Sequence, residues 1–306
     1  MRHLTLGSRG SALALWQAEF VASALRRAHG LTIEIKVIKT AGDKLQHAPV
    51  AQLGRKGIFI KELEESLLEG TIDLAVHSMK DVPTRIPAGL TIGAVCERAD
   101  PRDCFLSHRR HRLADLPAGA RVGTSSVRRQ AQLRRNRSDL QLLDLRGNVD
   151  TRVRKLEEGQ YDAIVVAKAG IDRLGWTAKI TETLSTDIML PAAGQGAMGI
   201  EVRADDHTLL GWVEAINDWP TQLAVEAERA LLREVEGGCQ LPVAALAQVE
   251  RDHLLLEACV LSVDGEDCVR DKIEGPAQDP AAIGSELGKK LLRAGADRIL
   301  KVVVRL

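Results

Sequence analysis

The chain is poor in aromatic side chains, in paired cysteines and in net charge. Of its 306 residues one is Tyr, three are Phe and four are Trp, 3% in all. The cores must therefore be mostly aliphatic, and a surface that stacks nucleobases has few rings to use. The five cysteines, Cys96, Cys104, Cys239, Cys259 and Cys268, are odd in number and form no CxxC pair. That usage fits a reducing compartment better than a disulfide framework or a zinc cage, and no metal site is expected. The apolar stretch Ser11 to Trp16 is soon followed by Gln17 and Glu19, so it reads as neither a signal segment nor a membrane span. A soluble cytoplasmic protein is expected. Lys and Arg number 42 and so do Asp and Glu, and zero net charge argues against a generally basic nucleic-acid binder. With 45% hydrophobic and 27% charged residues the composition is globular, and the length suits two or three domains.

Strand-like and helix-like segments alternate in the first half. Leu4 to Leu6 reads as a strand, and Leu13, Trp16, Phe20, Val21 and Leu25 recur at helical spacing until Gly30. Thr32 to Thr40 alternates as a half-buried strand. Lys61 to Leu68 is a helix stopped by Gly70, and Ile72 to Val76 is a buried strand running into His77-Ser78-Met79-Lys80-Asp81. The same grammar restarts at Arg121 to Gly123, with Thr124-Ser125-Ser126 and Asn148 as candidate helix caps and Leu140 to Leu145 and Asp162 to Ala167 as strands. The expected fold class is α/β, with two doubly wound α/β domains and a small α+β C-terminal domain. Their expected extents are residues 1–96 with 197–215, residues 97–196, and residues 219–306. In the last of these a helix from Leu223, three strands, a helix from Pro280 and a terminal strand Arg298 to Val304 are expected. Twin units of this kind usually bind a ligand in the cleft between them.

Charge is unevenly placed. Residues 121–154 hold nine arginines against three aspartates, a local excess of six, and contain no aromatic residue. A solvated helix face is the plain alternative. Yet Arg128, Arg129, Arg146 and Arg152 all sit beside expected helix N-termini, where cations and helix dipoles favour an anion together. A small polycarboxylate or phosphate fits better than nucleic acid. Asp81 lies just beyond the end of a buried strand, where α/β enzymes place reactive groups, and could hold a cationic or N–H-bearing group. His77 and Ser78 read as strand-end hydrogen-bonding residues. The basic run Ser107 to Arg112 reads as an exposed loop. Gly194 to Gly199 matches GxGxxG, but Leu190-Pro191 precedes it and a strand follows, so it reads as a crossover rather than a dinucleotide fingerprint. Cys239 follows Gly237-Gly238 on a loop after a helix. A lone cysteine is usually a small buried hydrophobe, whereas a thiol facing arginines would have thiolate character.

Six segments, in order, resemble the porphobilinogen deaminase family. They are Gly7-Ser8-Arg9 with Leu13 to Ala18, Lys56 to Glu64, Ala75 to Pro83, Gly123 to Gln130, Leu145 to Val149, and Glu236-Gly237-Gly238-Cys239-Gln240. The resemblance implies a cytosolic, monomeric transferase of tetrapyrrole synthesis that polymerises porphobilinogen, releases ammonia at each step and frees a linear hydroxymethylbilane by hydrolysis. It implies two α/β domains like those of type II periplasmic binding proteins, and no nucleic-acid or membrane partner. It also implies a dipyrromethane cofactor joined by thioether to Cys239. Carried over by motif, Asp81 is catalytic, binding pyrrole N–H groups and stabilising the azafulvene-like cation. Lys80, Asp81, Ser125, Arg128, Arg129, Arg152 and Arg173 hold the cofactor, while Arg9, Ser11, Gln17, Arg146 and Phe59 orient substrate. The division between the two sets stays open, because the growing chain must move. The segment Gly54 to Phe59 would form a lid. A non-enzymatic module that binds small anions, like a solute-binding protein, is the alternative; Cys239 and the third domain are features it does not need.

Overall fold

The computed structural model describes residues 3–40, 60–235 and 241–303. The chain folds as two compact units, residues 1–98 with 197–222 and residues 99–196 with 223–306. The first half runs β1 (His3–Ser8), α1 (Ala12–His29), β2 (Thr32–Val37), α2 (Lys61–Leu68), β3 (Leu74–Ser78) and β4 (Leu90–Cys96). Then come β5 (Asp103–Ser107), β6 (Arg121–Gly123), α3 (Val127–Asn136), β7 (Gln141–Leu143), α4 (Val149–Glu157), β8 (Ala163–Ala167), α5 (Lys168–Arg173) and β9 (Glu182–Thr183). The remainder holds β10 (Met198–Arg203), α6 (His207–Val213), α7 (Trp219–Glu234), β11 (Val243–Glu250), β12 (His253–Leu261), β13 (Cys268–Pro276), α8 (Pro280–Leu291) and α9 (Asp297–Val303).

In the first unit the strand order is β2-β1-β3-β10-β4, with β1 parallel to β2 and β3, and β10 antiparallel to both its neighbours. The alternation of side chains decides which helix covers which face. Leu74, Val76, Met198, Ile200 and Val202 pack with α1 and α6, whereas Ala75 faces the other way with Leu63 and Leu67 of α2. Helix α1 begins at Ser11, whose hydroxyl accepts from the Ala14 N–H at 3.3 Å, and stops at Gly30, whose φ of 64° permits the left-handed cap.

The second unit repeats the plan with strand order β7-β6-β8-β5-β9, where β6 is parallel to β7 and β8, and β5 is antiparallel. A third sheet, β11-β12-β13, is antiparallel throughout. One of its faces packs on α7, α8 and α9, and the other brings Ala244, Leu246, Cys259 and Leu261 against Ala131 of α3. The turn after β12 presses on the same helix: Arg134 donates to the Val263 carbonyl at 2.5 Å and Arg135 to that of Glu266 at 3.1 Å. Gly265 there has φ of 81°, and a Cβ would strike the Ala131 carbonyl, so glycine is required twice over.

Some expectations need revision. Residues 298–304 were expected as a strand, but the chain is helical through Val303. Ala296, Ile299 and Leu300 recur at helical spacing and enter the core of Leu287 and Leu291, after a wide turn in which Gly295 takes φ of 111°. The strand from Thr32 ends at Val37. The two five-stranded sheets are mixed, because β10 and β5 enter against their neighbours. Gly194 to Gly199 leads directly into β10, as expected of a crossover, and no helix follows it.

Candidate active site

In the first unit the site is built on the end of β3. His77 and Ser78 close the strand, and Met79–Asp81 form a single tight turn. This turn is anchored from below: the Met79 side chain is buried, and its N–H donates to the Ala197 carbonyl at 3.0 Å. Asp81 is exposed and Lys80 half-buried, so both are presented while their neighbour is held. The buried Gln17 of α1 donates to the Ser78 hydroxyl at 3.0 Å, which ties helix to strand end, and Ser11 caps α1. Arg9, half-buried, follows β1 directly. His77 donates to Glu201 at 2.9 Å, so it and Ser78 are hydrogen-bonded strand-end residues.

The second unit, taken by itself, holds a buried arginine cluster. Arg128 and Arg129, on the first turn of α3, are each only 5% exposed. Both reach the fully buried Asp103 at the start of β5, each at 2.8 Å. Arg128 also donates to the Leu190 carbonyl at 2.7 Å and Arg129 to that of Val165 at 3.1 Å, while Gln195 donates to Asp103 at 2.9 Å. Burial alone would raise the Asp103 carboxyl, but the two guanidinium groups overcome it and hold the group far below the ordinary carboxylate range. Burial in turn lowers the Arg128 guanidinium, with Asp103 opposing. Two cations share one anion, so the cluster keeps a surplus positive charge out of water, an arrangement that favours an added carboxylate.

The candidate caps behave differently from expectation. Neither Ser126 at the start of α3 nor Asn148 at the start of α4 makes a side-chain capping bond. Ser125 instead exchanges two bonds with the Leu145 backbone, at 3.0 and 3.1 Å, and Thr124 accepts from the Ser126 N–H at 3.3 Å. Arg152 on α4 donates to the Gly147 carbonyl at 2.7 Å, Arg146 lies 3.5 Å from Asp144, and Arg173 at the end of α5 donates to the Gly196 carbonyl at 2.7 Å. Much of the arginine excess serves structure. Arg121 pairs with Asp162, Arg137 with Asp139 and Arg154 with Glu158, and Arg134 and Arg135 hold the third sheet. His108 to Arg112 is exposed.

Cys239 and Phe59, with the lid segment, lie outside the described residues. The helix that precedes Cys239 in sequence is well fixed: Glu228 of α7, fully buried, accepts from the Gly194 N–H at 2.5 Å and the Ala247 N–H at 2.7 Å. Sequence reasoning missed Glu228, Asp103 and Glu201. Their one signal was an acidic residue within an apolar helix or strand, and nothing in the sequence named the partners.

Fold and side chains together define an α/β protein whose arginines and open helix N-termini suit a small polycarboxylate. Residues 4–211 match the family described as porphobilinogen deaminase, dipyromethane cofactor binding domain, and residues 222–293 match porphobilinogen deaminase, C-terminal domain. A porphobilinogen deaminase of Moorella thermoacetica is 52% identical over 304 residues, covering 99% of this chain and 97% of that one. Another, of Trichlorobacter lovleyi, is 50% identical over 303 residues with the same coverage, 99% and 97%. The chain belongs to the porphobilinogen deaminase family. Among solved structures, a periplasmic substrate-binding protein from Coxiella burnetii is 14% identical with a TM-score of 0.44, covering 74% of this chain and 96% of that one. Among the described residues no helix is long and apolar enough to cross a membrane.

Proposed function

We propose that this chain is a transferase that deaminates porphobilinogen and condenses it stepwise on a dipyrromethane primer joined to Cys239, releasing ammonia and, by hydrolysis, a linear hydroxymethylbilane. The observation that carries the reading, beside family membership, is the buried Arg128–Asp103–Arg129 cluster with its surplus positive charge. A primer that bears acetate and propionate groups supplies the anions such a cluster favours. Arg128, Arg129, Arg152, Arg173, Ser125 and Lys80 hold its carboxylates, and the α3 and α4 N-termini, free of side-chain caps, add their dipoles.

When bound, the dipyrromethane supplies the pyrrole end from which the chain is extended. Asp81, exposed on its anchored turn, accepts pyrrole N–H bonds of the incoming monomer. Its carboxylate stabilises the positive charge that develops as the aminomethyl nitrogen departs as ammonia. Arg9, Ser11, Gln17 and Arg146 orient the monomer's own carboxylates, with Phe59 stacking on a pyrrole. The division into residues 1–96 with 197–215, 97–196 and 219–306 assigns Cys239 to the third domain. A monomer in the cytoplasm, without nucleic-acid or membrane partners, completes the proposal; the odd set of cysteines supports a reducing compartment.

Intact-mass measurement of purified protein tests the covalent part. The expected mass exceeds that of the sequence by one dipyrromethane, and the increment disappears in Cys239→Ser. An active protein with unmodified Cys239 overturns it.

A further inference from the structure

Two side-chain amides sit inside the arginine cluster and have no part in the chemistry above. Gln132 lies one turn after Arg128 on α3 and is 4% exposed; Gln195 precedes β10 and is 1% exposed. The Gln132 amide closes a ring of two bonds on the backbone of Leu190, accepting from its N–H at 2.8 Å and donating to its carbonyl at 3.0 Å. Only a group that both donates and accepts can do this. The same carbonyl accepts from Arg128 at 2.7 Å, so Gln132 holds the oxygen that holds the arginine. Gln195 does the corresponding work on the anion. Its amide donates to Asp103 Oδ1 at 2.9 Å and to the Pro101 carbonyl at 2.7 Å, which fixes the carboxylate oxygen that Arg129 grips through Nε and Nη2.

Charge decides why amides stand here. Among the described residues, Asp103 is the one anion that meets either guanidinium group, and the other acceptors are the Leu190 and Val165 carbonyls. Two cations against one carboxylate leave a positive charge unanswered where desolvation makes it costly. Gln195→Glu would set a second carboxylate against Asp103, and Gln132→Glu would place one beside Arg128 and cancel the spare charge. We infer that Gln132 and Gln195 are positioning residues that fix the two arginines through neutral contacts, and that their neutrality keeps one cation for a carboxylate of the ligand. The identity of that ligand rests on the function proposed above; the spare charge does not.

The charge is read first, in the whole chain carrying Cys239→Ser, with glutarate as a plain dicarboxylate probe. Glutarate should raise the unfolding midpoint of this protein by about 2 °C or more, and should leave it flat once Gln132→Glu is added. No rise in Cys239→Ser itself, or an equal rise with Gln132→Glu, overturns the spare charge. Primer uptake tests the rest. With Cys239 intact and no primer loaded, the porphobilinogen concentration giving half the mass increment should rise about threefold with Gln132→Met and about tenfold with Gln132→Glu. One charge at close range outweighs one lost hydrogen bond. Uptake by Gln132→Met at the wild-type concentration overturns the positioning role, and uptake by Gln132→Glu no worse than by Gln132→Met overturns the neutrality. A wild-type chain that gains no increment overturns the proposed function, and the glutarate result then judges the charge by itself.

Discussion

Asp103→Asn is the most discriminating perturbation of the second unit. The substitution keeps shape and removes the one negative charge that two buried guanidinium groups share at 2.8 Å. Removing one partner from a buried ion pair costs about 3–5 kcal/mol, because the remaining charge stays desolvated. Here two cations are stranded, so the upper part of that range applies. For a domain of this size each kcal/mol lowers Tm by about 2–4 °C, giving a fall of roughly 8–20 °C. Thermal unfolding followed by circular dichroism reads it directly. The pH dependence supplies a second mark. The folded carboxyl lies far below the ordinary range, so the unfolded chain takes up this proton more readily. The stabilisation is present above the ordinary carboxylate pKa and drains away as pH falls towards the depressed folded value, and Asp103→Asn should lack that acid slope. A variant whose Tm lies within about 2 °C of wild type, or whose acid slope is unchanged, refutes the argument.

Other outcomes follow from single side chains. Asp81 is exposed, so Asp81→Ala should leave the unfolding midpoint unchanged while turnover of porphobilinogen falls by about 10²–10³-fold; near-normal turnover removes Asp81 from its role. Among the described cysteines, Cys268 should react first with iodoacetamide at neutral pH. A hydrogen bond from Cys259 lowers its thiol to about 6 against the effect of burial, helped by Arg135 and Arg270, whereas burial pushes Cys104 up to about 12. Peptide mapping that finds Cys104 labelled before Cys268 contradicts this ordering.

The repeated α/β plan could be read from the sequence because it rests on local signals. Gly30 ends a helix whose apolar positions recur at 3.6-residue spacing, and the runs before His77 and around Val165 are too apolar for anything but buried strands. The last segment misled because Ile299-Leu300 and Val302-Val303 read in sequence as apolar as a strand, whereas the helix there is placed by Ile299 and Leu300 packing with Leu287 and Leu291. The arginine excess located the right region but overcounted. Local charge cannot distinguish Arg137, bonded to Asp139 two residues away, from Arg128, whose partner lies 25 positions upstream at Asp103. Asp103, Glu201 and Glu228 were invisible for the same reason, since their partners arrive only with the tertiary fold.

The turn around Gly265, wedged against α3 and held by Arg134 and Arg135, sets the smallest piece of this protein that can be exchanged between relatives. A swap of the C-terminal domain alone would set a foreign turn against a native helix, so that Arg134 and Arg135 lose the carbonyls they hold and any residue but glycine at position 265 strikes the Ala131 carbonyl. The transferable module is instead residues 99–196 together with 223–306, which carries Cys239 and the Arg128–Asp103–Arg129 cluster as one part.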